Sequence, residues 1–134
     1  MKKEALGFWN GPWGRAVRSA KKCYPELPFI YKTKHGLLKG QIDLVFQTAA
    51  GEWVLLDYKT HALTPARSPE AAAENYHFQL RLYALVFSRL YGEEPKKGVL
   101  YFSSAGRAVE MPYAKDEFSG MERELDTAFK KLDF

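Results

Sequence analysis

Asp43, Asp57 and Lys59 are the residues of this chain whose types and spacing could do chemistry together. They lie in Gly40-Gln-Ile-Asp43-Leu-Val-Phe-Gln-Thr-Ala-Ala-Gly51-Glu-Trp-Val-Leu-Leu-Asp57-Tyr-Lys59-Thr60. The largely apolar runs Gln41–Gln47 and Trp53–Lys59 read as two strands around the turn Ala49-Ala50-Gly51. A three-residue hairpin loop ends in a left-handed residue, a conformation that glycine takes without a Cβ clash. With Gly51 in that place, Thr48 pairs with Glu52, Gln47 faces Trp53 and Asp43 faces Asp57. Lys59, two residues beyond Asp57, projects from the same face of its strand.

Directly opposed residues of an antiparallel pair have Cβ atoms roughly 4.5–5.5 Å apart. Two carboxylates there repel unless a cation or a shared proton lies between them. Hard carboxylate oxygens suit Mg²⁺ or Mn²⁺, and a lysine beside them can hold or deprotonate a water. The cluster reads as a metal-dependent hydrolase site aimed at a phosphodiester. An Asp-x-Lys in a strand is, taken alone, most often a surface ion pair. The opposed carboxylate and the apolar residues around it favour a site. Register decides the matter, because a slip of one residue sends Asp43 to the opposite face.

Holding these groups requires a sheet with helices packed on it. Lys3 to about Lys22 reads as a helix interrupted at Asn10-Gly11-Pro12, with Pro12 opening a new helix. Ala16, Val17 and Ala20 mark its apolar stripe. Arg15, Arg18, Lys21 and Lys22 form a basic face, either solvated or in contact with phosphates. Pro25 is expected to stop this helix, and Glu26 to Lys34 to form the first strand. Leu37 to Gln47 and Trp53 to Lys59 follow. Ile42, Leu44 and Phe46 are expected on one face, Val45 and Leu55 on the other, as in a sheet covered on both sides.

Ser68-Pro69-Glu70 has the form of a helix start, and the helix should run to about Tyr91 and end at Gly92. Tyr76, Leu80, Tyr83, Phe87 and Leu90 recur at helical spacing and form its buried stripe. Gln79, one turn before Tyr83, must find polar partners, either a backbone group or the carboxylate cluster. Lys97 to Ser103 reads as a fourth strand and Arg107 to Met111 as a short edge strand. A helix from about Asp116 to Leu132 closes the chain, with Phe118, Met121, Leu125, Ala128 and Leu132 near one face.

The 134 residues suffice for one domain with a real core. A net charge of +4 permits a polyanionic partner. The single cysteine, Cys23, excludes an internal disulfide and a multi-cysteine metal cluster. No apolar run has the length of a membrane span and no signal peptide is visible, so the cytoplasm is the expected compartment.

Gly40-x-x-Asp43, then Asp57-Tyr58-Lys59-Thr60, then Gln79-Leu80-x-x-Tyr83 resembles the RecB-like nucleases of the PD-(D/E)XK superfamily. Pro25-Glu26-Leu27-Pro28-Phe29 is similar to the segment before the first strand in the nuclease domain of AddA-type helicase–nucleases. The resemblance covers about Trp9 to Val109. It implies an α/β, restriction-endonuclease-like core: helix, three-stranded antiparallel meander, helix and further strand, with a mixed central sheet flanked by helices. It also implies a single nuclease domain over residues 1–134, either whole or part of a larger helicase–nuclease.

By that resemblance Asp43 and Asp57 bind Mg²⁺ or Mn²⁺ with the main-chain carbonyl of Tyr58. Lys59 positions or activates the attacking water and steadies charge on the phosphate. Gln79 and Tyr83 border the site and orient the metal ligands or the DNA strand. Glu26 is a further candidate from the neighbouring strand, and Arg15, Arg18 and Lys22 are candidates for DNA contact. The implied activity is metal-dependent DNA cleavage, as an exonuclease, in recombination and double-strand-break repair beside a helicase domain or subunit.

One departure stands out. The family takes another metal ligand from a histidine on a helix upstream of Glu26, and no histidine here precedes His35. His35, His61 and His77 do not match that position and are expected at the surface or behind the site. The alternative reading is a non-catalytic DNA-binding or interaction domain that keeps the nuclease fold with an incomplete metal site. An iron–sulfur cluster, held by cysteines in some relatives, is excluded by the cysteine count.

Overall fold

At the turn that sets the register of the two central strands, Gly51 has φ 92° and its N–H donates to Thr48 O at 2.9 Å. Thr48 N–H donates to Glu52 O at 2.8 Å, closing the hairpin as expected. The computed structural model describes residues 8–59, 76–103, 105–114 and 117–132, with side chains of the last helix described as far as Thr127. The elements are α1 (Pro12–Arg18), β1 (Lys22–Thr33), β2 (Gly36–Gln47), β3 (Trp53–Lys59), α2 (His77–Tyr91), β4 (Lys97–Phe102), β5 (Arg107–Pro112) and α3 (Glu117–Leu132).

The strands form one sheet in the order β1-β2-β3-β4-β5. Neighbours are antiparallel except β3 and β4, which are parallel. Parallel neighbours need a crossover rather than a hairpin. Here α2 lies in the crossover, and this brings a helix over the face that carries Asp57. On that face Val45, Trp53, Leu55, Leu100 and Phe102 pack with Leu80, Ala84 and Phe87 of α2 and Phe118, Met121 and Leu125 of α3. On the other face Phe46, Val54, Leu56, Val99 and Tyr101 are covered by Phe8, Trp13 and Val17. The sheet is mixed and flanked by helices, as the sequence implied.

Three expectations need correction. α1 ends at Arg18, and β1 begins at Lys22 and runs through Pro25 rather than starting at Glu26. Pro25 is tolerated because β1 is an edge strand, where a missing N–H need not remove a ladder bond. Leu90 is 42% exposed and does not belong to the buried stripe of α2. That helix lies between the sheet and α3, so its buried side also takes in Leu85, Val86 and Ser88. The Ser88 hydroxyl is accommodated there by donating to Leu85 O at 2.7 Å. The expected helix start at Ser68-Pro69-Glu70 lies outside the described residues.

The third correction concerns Ile42. It packs with Val45 and Leu55, not with Leu44 and Phe46. Along β2, Leu37, Lys39 and Gln41 face solvent while Val45, in the same alternating row, is in the core under α2. The other row passes from Leu38 and Ile42 under α2 to Leu44 and Phe46 on the far face. Both rows turn over at Asp43. Opposite it, Glu26 has φ 50°, left-handed for a residue with a Cβ. The regular pairing is broken there, between Pro25↔Leu44 and Leu27↔Ile42. Such an irregularity sharpens the local strand twist.

The packing of α2 on β4 allows a direct test. A Cβ at Gly98 would collide with the Tyr113 hydroxyl and stand 2.6 Å from Leu80 Cδ2. Gly98→Ala is expected to cost about 1–3 kcal/mol by overpacking. Gly120→Ala, in α3 with open space around its Cβ, is expected to gain about 0.5–1 kcal/mol. Urea unfolding of both variants checks the pair. A Gly98→Ala chain as stable as the parent would contradict this packing.

Candidate active site

The β2–β3 ladder runs from Gln47↔Trp53 to Leu44↔Leu56, which puts Asp43 and Asp57 at the next step. There the ladder changes character. Asp43 Oδ2 accepts the Tyr58 N–H at 2.8 Å, so a side-chain carboxylate takes the place of a main-chain acceptor. The twist at Asp43 supplies the freedom for this, since the residue sits where its strand turns from solvent to core. The Tyr58 ring is on the opposite face, stacked on Tyr101 with centroids 5.4 Å apart. Tyr58 therefore offers the site its main chain only.

Asp57 is 7% exposed and paired across the parallel ladder with Leu100. Its carboxyl is pushed up to about 6, first by burial and then by the neighbouring Asp43 carboxyl, with Lys59 opposing the shift. Desolvation disfavours the charged form, and a like charge does the same. Lys59 Nζ lies 2.9 Å from Asp57 Oδ2. That oxygen is enclosed, with the Lys59 ammonium as its cationic neighbour.

Lys59 itself is tightly held. Its Nζ donates to Gln79 Oε1 at 3.4 Å and lies 4.0 Å from the centroid of the Tyr76 ring. Gln79 Nε2 donates to the Tyr83 hydroxyl at 3.1 Å, which fixes the amide with its oxygen toward the lysine. Of the two partners open to Gln79 from sequence, it takes the cluster, through Lys59. The end of β3 is anchored by Ser103, whose N–H and hydroxyl donate to Lys59 O at 2.9 and 3.2 Å.

These positions fit a hard divalent cation. Two opposed carboxylates supply oxygens only, one of them enclosed, beside main chain that can add a carbonyl. Among the described residues there is no group of three Asp, Glu, His or Cys side chains that could hold a metal. Two carboxylates and the Tyr58 carbonyl are what the described residues offer.

The other candidates stand apart from the carboxylates. Glu26 lies opposite Asp43 on β1 with its side chain exposed. Arg15 and Arg18 donate to Asn10 O and Trp9 O at 2.9 and 2.7 Å, and Arg18 also covers the Trp9 ring. Both belong to α1, which covers the sheet face opposite Asp57. Lys22 is exposed at the start of β1. His35 Nε2 lies 3.6 Å from Asp126 Oδ1, His77 is exposed, and His61 is outside the described residues.

Sequence reasoning missed two supports. Tyr76, expected only in the buried stripe, faces Lys59. Phe29 packs edge-on to Tyr83 with centroids 5.4 Å apart. Gly40 makes room for that ring, because a Cβ there would stand 2.7 Å from Phe29 Cζ. The pairing Phe29↔Gly40 carries the signal. It follows from the turn at Lys34-His35, which closes on Thr33↔Gly36; a turn placed at His35-Gly36 would instead set Phe29 opposite Ile42.

Residues 3–133 match the family model of the PD-(D/E)XK nuclease superfamily. The chain is 30% identical over 81% of its length to an ATP-dependent helicase/nuclease subunit of Alkaliphilus oremlandii (strain OhILAs), of which it covers 10%. It is 32% identical over 80% of its length to the protein of the same name from Pelotomaculum thermopropionicum (strain DSM 13744 / JCM 10971 / SI), covering 9% of it. The chain thus spans about a tenth of the length of these relatives. Among solved structures, the crystal structure of SSO0001 matches with a TM-score of 0.53 and 19% identity, over 84% of this chain and 51% of that one. That likeness concerns the fold.

Proposed function

The chain belongs to the PD-(D/E)XK nuclease superfamily, and from that membership and the site geometry we propose that it is a Mg²⁺- or Mn²⁺-dependent deoxyribonuclease. The reading rests on one observation above all: the enclosed Asp57 carboxylate, opposed to Asp43 and held 2.9 Å from Lys59. In this reading Asp43, Asp57 and the Tyr58 carbonyl hold the cation. The bound ion supplies Lewis-acid stabilisation of charge on the phosphoryl oxygens.

The remaining work falls to the chain's own groups. Lys59, as an ammonium, can donate to the attacking water or to a phosphate oxygen, but cannot accept a proton. It orients the water while the proton released on attack leaves to solvent or to the phosphate. Water adds across the P–O bond, its oxygen to phosphorus and a proton to the leaving oxygen. Gln79 and Tyr83 keep the lysine in place. By likeness to the helicase/nuclease relatives, we assign the chain to end-directed DNA degradation in double-strand-break repair, beside a helicase.

The test is incubation with linear and circular DNA, single- and double-stranded, in Mg²⁺, Mn²⁺ or EDTA. Metal-dependent loss of linear DNA with circles spared supports an exonuclease. Cleavage that persists in EDTA would sink the metal reading. A second reading, a domain that binds DNA without cutting it, is favoured by the lack, among the described residues, of a third Asp, Glu, His or Cys side chain to complete a metal site. It predicts DNA affinity indifferent to EDTA and no cleavage in any metal.

Metal binding should also stabilise the fold in a pH-dependent way. Asp57 titrates at about 6 in the folded chain against an ordinary 3.8. The folded state therefore retains a proton that the unfolded chain gives up between about pH 4 and pH 6. Without metal, this group's contribution to stability falls as pH rises through that window. A divalent cation competes with the proton for the same oxygens. Thermal denaturation with millimolar Mn²⁺ is expected to show a larger rise in Tm at pH 7.5 than at pH 5. An equal rise at both values would place the ion elsewhere.

A further inference from the structure

Residues 27–42 form a two-stranded ribbon that extends past the sheet, because β2 pairs with β3 only over Leu44–Gln47. One face of this ribbon is spent on the core: Leu27, Phe29, Tyr31, Leu38 and Ile42 pack with residues of α2 and α3. The other face is made by the opposed pairs Pro28↔Gln41, Ile30↔Lys39 and Lys32↔Leu37. All six residues are exposed, Ile30 by 62% and Leu37 by 59%. Each of the outer two pairs sets one lysine opposite one aliphatic side chain, with the order reversed between them.

The charge of the ribbon has a single sign. Residues 27–42 include Lys32, Lys34 and Lys39 and no aspartate or glutamate. Lys34 is paired with Asp126 at 3.2 Å. Among the described residues, Lys32 and Lys39 have no salt-bridge partner. Exposed lysines alone are common. Their place is what matters here: Lys39, Gln41 and Asp43 follow one another in the same alternating row of β2, which turns inward at Asp43. The row of Lys39 thus runs directly into the candidate site, about 13 Å along the strand.

We infer that this exposed ribbon face is a docking platform for the DNA strand that enters the Asp43–Asp57 site, an inference that rests on the nuclease reading. Lys32 and Lys39, on opposite strands and one pair-step apart (about 7 Å), engage successive phosphates. Ile30 and Leu37 give sugars and base edges an apolar surface between them. The partner is an anionic polymer with apolar rungs, and a single DNA strand has that chemistry.

Fluorescence anisotropy of a labelled single-stranded oligonucleotide in EDTA tests the platform on four chains of residues 1–134: the parent, Lys32→Ala/Lys39→Ala, Ile30→Ser/Leu37→Ser and Lys32→Arg/Lys39→Arg. Mn²⁺ calorimetry on the same chains reads the carboxylates and not the ribbon, and Tm values confirm folding. The lysine pair is expected to weaken DNA binding on the order of tenfold and to reduce the slope of log K against log salt by about 1.4. The aliphatic pair should weaken binding with the slope unchanged. Lys32→Arg/Lys39→Arg should keep the parental slope. Unchanged affinity and slope in folded variants overturn the inference, as does competition by polyglutamate equal to that by DNA, which would assign the face to an acidic protein. A parent that binds no Mn²⁺ fails the metal reading alone, because the platform is judged by the EDTA data.

Discussion

Asp57→Asn is expected to abolish metal-dependent DNA cleavage, by on the order of a thousandfold or more, while leaving the metal-free chain at least as stable as its parent. The first effect follows from removing one of two carboxylates that hold the cation, since several kcal/mol of transition-state stabilisation depend on it. The second follows from burial. The parent carboxyl is 7% exposed and pushed up to about 6, so at pH 7.5 the fold carries a charge it would bind more readily as a neutral group. Asparagine is neutral, nearly isosteric, and still offers Lys59 an oxygen. Denaturation in EDTA should show the parent losing stability from about pH 4 to pH 6, with that decline absent from the variant. Metal-dependent cleavage within tenfold of the parent would remove Asp57 from the site.

Lys59→Met separates catalysis from metal binding. Methionine keeps the length of the stem but not the ammonium that neutralises Asp57 at 2.9 Å. Removing one partner of a buried ion pair costs about 3–5 kcal/mol when the other stays charged. Asp57 can escape that cost at low pH by holding its proton, so destabilisation should be larger at pH 8 than at pH 5. A divalent cation should relieve it, and Mn²⁺ is expected to raise Tm more in Lys59→Met than in the parent. Cleavage should fall by about 10²–10³ although the metal still binds, because the group that orients water and steadies phosphate charge is gone. Loss of Mn²⁺ binding in calorimetry, or cleavage at the parental rate, would contradict these roles.

The two variants thus make opposite demands on the same ion pair. The carboxylate is unfavourable to the empty fold and needed by the metal. The lysine is favourable to the empty fold and less needed by the metal. Placing Gln79 and Tyr76 around Lys59 keeps the ammonium where it serves both states.

Much of this was legible in the chain. The turn at Ala49-Ala50-Gly51 set a register that the Gln47↔Trp53 pairing matches, because a short hairpin ties pairing to the conformation of a few local residues. β3 has the expected bounds, and α2 ends at Gly92 with φ 72°. These features depend on interactions close in sequence. The start of β1 was not legible, because whether a strand accepts Pro25 depends on its being at an edge. Nor was the exposure of Leu90, which depends on where α3 settles against α2.

The sequence by itself determined that Asp43 and Asp57 are opposed with Lys59 on the same face, since side-chain type, alternation and turn geometry are local properties. Only the tertiary structure decided how Asp43 reaches the Tyr58 N–H, that Gln79 bonds to Lys59, and that the Lys39 row leads into the site. Each of these rests on an event between distant segments: the strand twist opposite Glu26, and the crossover that lays α2 over β3. Such geometry is fixed by packing across the whole sheet, which no stretch of the chain specifies alone.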